Sequence, residues 1–232
     1  MTQIFNLRKI GISLAMLAVV ALGSTAVARA DSITVVINNP NSGLSGTPGP
    51  YADVSLTLVT VNQGTTVCTA AAPCIQVHVA NRTGFTMFGN GAGNGAFGFN
   101  VVGAANGSGL TITNVTSGFT FDATGGNFDG FGGFEAAFQD GVPGDNHAVL
   151  DFTVSQAGGF STVNTLFEAN GTGAHFAIHI APTNGNPTGF AADSGTPSTV
   201  PEPASMLLLG TGLAGLAGAV RKRRNSKKKQ GE

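Results

Sequence analysis

Between Asp31 and Val200 the sequence has no lysine and a single arginine, Arg82, set against ten acidic residues, for a formal charge of −9. A phosphate backbone is held by cations that displace its counterions, so nucleic acid is excluded as a partner of this stretch. Cysteine occurs twice, at Cys68 and Cys74, which leaves room for one disulfide. Tryptophan is absent and tyrosine occurs once, so the aromatic content is almost entirely phenylalanine. No apolar period of 3.6 residues is sustained within this stretch, which excludes a helical bundle; a parallel sheet would also need crossover helices. Long apolar runs occur only near the two ends.

At the first end, Arg8 and Lys9 precede the apolar run Ile10 to Leu22, and small residues follow to Ala28-Arg29-Ala30. That order predicts a secretory signal peptide over residues 1–30, cleaved after Ala30, with Ala26-x-Ala28 as a second site. Thirteen apolar residues are too few to span a bilayer comfortably. At the other end, Val200-Pro201-Glu202-Pro203 is followed by an apolar stretch from Ala204 to Val220 and then by seven cations between Arg221 and Lys229. The cations hold that flank in the cytoplasm and place everything upstream outside. As a helix, residues 204–220 measure about 25 Å, a marginal membrane span that Gly210, Gly212, Gly215 and Gly218 weaken further. Pro201 and Pro203 lack amide hydrogens and push their predecessors toward extended backbone, which keeps this tetrapeptide accessible to a protease.

A Pro-Glu-Pro motif, an apolar helix and a basic tail, in that order, resemble the PEP-CTERM sorting signal. The resemblance covers Val200 to Glu232 and implies processing by exosortase, a membrane-embedded cysteine-protease-like enzyme. It further implies a transient stay in the inner membrane, then delivery to the cell surface or extracellular matrix of a Gram-negative bacterium, often alongside exopolysaccharide. The organisation expected is a signal peptide (1–30), an extracellular domain (31–196), a linker carrying Pro201, Glu202 and Pro203 (197–203), a transmembrane helix (204–220) and a basic cytoplasmic tail (221–232).

Residues 31–196 are enough for one domain with a real core. Short alternating runs predict strands at Ser32–Ile37, Asp53–Thr60, Cys74–Ala80, Ala96–Val102, Leu110–Val115, His147–Val154 and Ala174–Ile180. Turn-rich links between them predict an all-β fold, an antiparallel, jelly-roll-like β-sandwich. Only Gly133 to Gln139 reads as a helical turn. In His147–Val154, one face carries Ala148, Leu150, Phe152 and Val154 and is expected to be buried. Outside the cytoplasm, Cys68 and Cys74 are expected to oxidise to each other across a five-residue hairpin loop, with Val67 opposite Ile75 on the inner face. Two Phe/Gly/Asn-rich stretches, Phe85–Asn100 and Phe119–Phe138, read as core phenylalanines with turn glycines, or else as an adhesive surface for self-association.

Few residues point to chemistry. His175 and His179 share a strand face but stand about 13 Å apart, too far for one ion. Asp122, Asp129, Asp140 and Asp145 crowd one region and offer the oxygen ligands calcium prefers, although the spacing fails the EF-hand pattern. Gly43-Leu44-Ser45-Gly46 lacks the second spaced glycine of a nucleophile elbow, and no phosphate or dinucleotide glycine loop occurs. No catalytic or cofactor-binding residue is therefore assigned, and the expectation is a non-enzymatic, exported structural or polysaccharide-associated protein. The alternatives are a secreted polysaccharide hydrolase using a carboxylate pair, or an ice-binding protein presenting Thr111-Ile112-Thr113.

Overall fold

The computed structural model describes residues 31–88, 95–140, 146–194 and 198–199. The expected signal peptide with its cleavage residues Ala28 and Ala30, Asp145, the Pro201-Glu202-Pro203 motif, the expected helix over 204–220 and the basic tail lie outside the described residues.

The chain forms strands β1 (Ser32–Pro40), β2 (Ala52–Val59), β3 (Cys74–Asn81), β4 (Phe85–Phe88), β5 (Phe97–Phe99), β6 (Thr111–Thr113), β7 (Phe119–Asp122), β8 (Gly126–Phe128) and β9 (Gly132–Phe134). It continues with β10 (Ala136–Asp140), β11 (Asn146–His147), β12 (Val149–Ser155), β13 (Phe176–Pro182), β14 (Gly189–Asp193) and β15 (Ser198–Thr199). Among the described residues there is no α-helix, only three short 3₁₀ turns. None of these is long and apolar enough to cross a membrane.

All seven expected strands form, some shorter than expected, and every pairing is antiparallel. Their arrangement differs from two separate facing sheets. One continuous ladder runs β6-β12-β3-β2-β1-β14-β13-β5-β10-β7, with β15 alongside β1 and β4 joining β13 to β11. β1 prevents a break into two sheets, because β2 occupies one of its edges and β14 with β15 the other. A register shift between Ile37 and Asn39 marks a bulge there, the irregularity that lets a strand bend. The sheet curls until its distant parts meet: Phe152 of β12 packs on Phe138 of β10 with ring centroids 4.4 Å apart, and on Phe99 of β5 at 5.9 Å. Because β4 also pairs with β11, which leads directly into β12, the roll is nearly closed.

The main core lies inside this roll. β1, β2, β3 and β12 each present one buried face in period two, supplied by Val35, Val54, Leu56, Val77, Val79, Leu150, Phe152 and Val154. β5, β13 and β14 instead are buried on both faces. Their outer side is covered by the β8–β9 hairpin, whose Phe128, Phe131 and Phe134 form a second apolar cluster with Ala137, Ala177, Phe190 and Ala192.

Two expectations are corrected here, and one is met. Gly133–Gln139 is not a helical turn but the end of β9 and most of β10, where Ala136 and Phe138 face the main core and Ala137 the second cluster. Ala148 is exposed, because the chain breaks between β11 and β12 at that residue. The phenylalanines of both Phe/Gly stretches are buried or half-buried, as the core reading expects. Among the described residues the exposed large apolar side chains are Val61, Val67 and Val102.

Candidate functional site

The residues most able to do chemistry in this acidic body are its carboxylates, and their surroundings are specific. Asp31 caps the turn after Thr162, accepting hydrogen bonds from Thr162 Oγ1 at 2.8 Å and Val163 N at 3.3 Å. Asp53 pairs with Arg82 at 2.6 Å. Glu135 accepts from Val101 N at 2.7 Å, and Glu168 from Gly103 N at 3.1 Å. Asp151 Oδ1 lies 2.6 Å from His78 Nδ1, its directly opposed neighbour across β12 and β3. Asp193 is buried at the end of β14. It accepts from the backbone N–H groups of His175 and Phe176 at 2.8 Å each, and its other oxygen lies 2.8 Å from His175 Nδ1.

The calcium candidates are not brought together as a set. Asp122 closes a local turn, accepting from Thr124 N at 2.8 Å and Thr124 Oγ1 at 2.6 Å. Asp129 sits in the β8–β9 turn and accepts from Asn41 Nδ2 at 3.1 Å. Asp140 is buried near His147, whose Nε2 is 3.9 Å from its carboxylate. In the β7–β10 ladder Asp140 lies opposite Phe119, and Asp122 opposite Ala137, so the two are separated by about 10 Å of strand. Asp145 is outside the described residues. Among the described residues no three His, Cys, Asp or Glu side chains gather to hold a metal ion.

The four histidines occupy four separate environments. His78 is half-exposed beside Asp151. His147 packs on Phe119 with centroids 4.6 Å apart. His175 stacks flat on Phe167 at 3.7 Å, with the Asp193 carboxylate at its Nδ1. His179 is buried in the outer apolar layer between Phe190, at 4.4 Å, and Phe88, at 5.3 Å. Burial pushes its pKa down to about 4 despite a hydrogen bond to the backbone of Phe88, so the ring is neutral at pH 7.

Cys68 and Cys74 form the expected disulfide, and both are buried. The expected hairpin around them does not form. Cys74 opens β3 and pairs with Val59 of β2, while Val67 is 71% exposed and faces no inner surface. A chain segment spanning residues 60–73 intervenes between two strands that pair over their whole length, and the disulfide fastens that segment to the start of β3. Gly43, Leu44 and Ser45 belong to a 3₁₀ turn and its cap, held by Asn41, whose Oδ1 accepts from Gly43 N at 3.0 Å and Phe190 N at 3.1 Å. Thr113 is bonded to the hydroxyl of Thr66, and β6 is three residues long, so Thr111-Ile112-Thr113 does not extend into a threonine array.

Three hollows are found among the described residues. A hollow of about 620 Å³ lies within the Pro40–Pro48 loop. Another, of about 490 Å³, is lined by Ala70, Ala71 and Pro73 of the disulfide loop together with Gln156, Gly159 and Phe160. A third, of about 460 Å³, runs beside Asn39, Phe131, Thr172 and Asp193. Three asparagines that clamp loops, Asn41, Asn114 and Asn170, are not evident as such from the sequence. Asn114 adopts a left-handed backbone at φ 52°, and its amide nitrogen bonds Gln63 O, Thr66 Oγ1 and Thr153 Oγ1. Asn170 donates to Phe131 O at 2.7 Å and Gly133 O at 3.2 Å, fastening the β8–β9 hairpin. The visible signal was the tolerance of asparagine for turns and left-handed backbone.

No curated protein and no solved structure matches the chain. Residues 199–224, which include Pro201, Glu202 and Pro203, match the PEP-CTERM protein-sorting motif, a match that supports export of the chain and its sorting by exosortase.

Proposed function

We propose that residues 31–196 are a non-enzymatic structural module of the cell surface or extracellular matrix, associated there with exopolysaccharide. The observation that carries this reading is the use of carboxylates. A glycosidase keeps two of them facing a scissile bond. In this body the described carboxylates instead cap turns, accept from backbone N–H groups or, for Asp129, from the Asn41 amide, or lie beside a neighbouring His or Arg. The outer face of β1, β2 and β3 supports the polysaccharide association. It carries Ser32, Thr34, Ser55, Thr57 and Gln76, hydroxyl and amide groups that exchange hydrogen bonds with sugar hydroxyls.

The test is to incubate the exported, tail-processed protein with a panel of bacterial exopolysaccharides. Co-sedimentation without new reducing ends is the expected result. Release of reducing sugar that is lost with a single carboxylate-to-amide substitution would replace this reading with the hydrolase. The reading includes no resident cation, so titration with calcium is expected to leave the melting temperature unchanged.

A further inference from the structure

The final described strand, β15, lies at the boundary between body and sorting signal. Thr199, the first residue matched by the sorting motif, is the Cα partner of Ile33, and Ser198 is the partner of Thr34. β15 therefore pairs with the first strand of the body, on the edge of β1 that β14 occupies farther along. In the sequence Pro197 precedes it, and Pro201 follows after Val200. One residue separates the last paired position from Pro201.

β1 is firmly held on its other edge, where Ser32 to Ile37 pair with Thr57 to Ala52 of β2. Its beginning is fixed as well, because Asp31 O accepts from Leu58 N at 2.8 Å and the Asp31 carboxylate caps the turn at Thr162. β15 is thus a short, weak pairing laid on a rigid support. A protease takes its substrate as an extended segment of several residues, and a segment paired in a sheet must first detach.

From this juxtaposition we propose that β15 is a latch on the sorting signal. The folded body holds the first residue of the motif in its own sheet, and exosortase engages the Pro-Glu-Pro segment only when the two-residue ladder opens. The latch couples processing to folding: a body that has not formed β1 leaves the tail loose, and one that has formed it sets the processing rate through the opening of β15. This inference rests on the sorting motif and not on the non-enzymatic reading of the body, so either can fail alone.

The test uses the full-length chain expressed in a host that carries exosortase. Thr34→Cys combined with Ser198→Cys places two thiols at directly opposed positions, where a cross-strand disulfide staples β15 shut. Ser198→Pro removes a backbone N–H from the same ladder and opens it. Tail removal is followed by intact mass, counting only molecules that have already lost residues 1–30, so that every molecule scored has been exported. The stapled chain is expected to lose its tail at least tenfold more slowly than the wild type and to recover on mild reduction. The proline variant is expected to lose it at least threefold faster. A stapled chain, its added disulfide verified by mass, that is processed within twofold of the wild type would overturn the proposal, whatever the proline variant does.

Discussion

The ring of Phe128 occupies the space that a side chain at Gly98 would need: a Cβ built on Gly98 would come within 2.5 Å of Phe128 Cε2 and 3.0 Å of Phe134 Cγ. The close approach is what lets the β8–β9 hairpin lie flat on β5 and shield the outer face of the sheet. Gly98→Ala is therefore expected to destabilise the protein by about 1–3 kcal/mol through overpacking. Phe128→Ala should cost about 3–5 kcal/mol, because this fully buried ring leaves a cavity in the second cluster. Urea denaturation checks both: the midpoint should fall without a change in slope.

Neutral His179 makes stability depend on pH. Its pKa falls from 6.5 to about 4 in the fold, so between those values the unfolded chain binds the proton and the folded one does not. Its contribution is complete above pH 6.5 and is lost as pH falls toward 4, by about 3 kcal/mol. His179→Phe, which keeps an aromatic ring between Phe88 and Phe190, should remove that share. The check is the difference between the two stability-versus-pH curves from pH 7 to pH 4, since other groups contribute equally to both.

Asp193 is expected to be structural. Removing its carboxylate leaves the backbone N–H groups of His175 and Phe176 without the acceptor they use. Asp193→Ala should cost about 2–4 kcal/mol. Asp193→Asn, which retains one acceptor oxygen, should cost less. A hydrolytic role for Asp193 would instead make both variants equally inactive on a polysaccharide at unchanged stability.

Reduction of Cys68–Cys74 should have a limited effect. The closed loop is small, and the chain-entropy model gives about 2 kcal/mol. The reduced protein should still unfold cooperatively, with a lower melting temperature, because the β2–β3 ladder that starts at Cys74 does not depend on the bridge.

What was legible in the sequence follows from how each strand is buried. β1, β2, β3 and β12 have one wet face, so their apolar residues alternate and announce themselves. β14 reads Gly-Phe-Ala-Ala-Asp and is buried on both sides, which removes the alternation, and it was missed. β8 and β9 are three residues each, with glycines at Gly126, Gly132 and Gly133, so neither shows a strand period and the end of β9 reads as part of a helical turn. The Cys68–Cys74 pair was readable from redox chemistry, but its setting was not. Short separation favoured a local hairpin, whereas β3 pairs with β2, an eight-residue match that outweighs any pairing available to Val67. The acidic residues looked like a cluster along the chain, yet strand register separates Asp122 from Asp140, and spacing alone cannot report register. The sorting motif matched at residues 199–224 is legible because it is a linear segment.

The central claim is that this body is cargo delivered by its tail, and the most direct measurement is the intact mass and location of the protein in its exosortase-bearing host. Wild-type chain should be found at the cell surface or in the matrix without its basic tail, while a variant with Pro201, Glu202 and Pro203 all replaced by alanine should keep the tail and stay with the inner membrane. If the alanine variant reaches the surface with the same trimmed mass as the wild type, the account is contradicted.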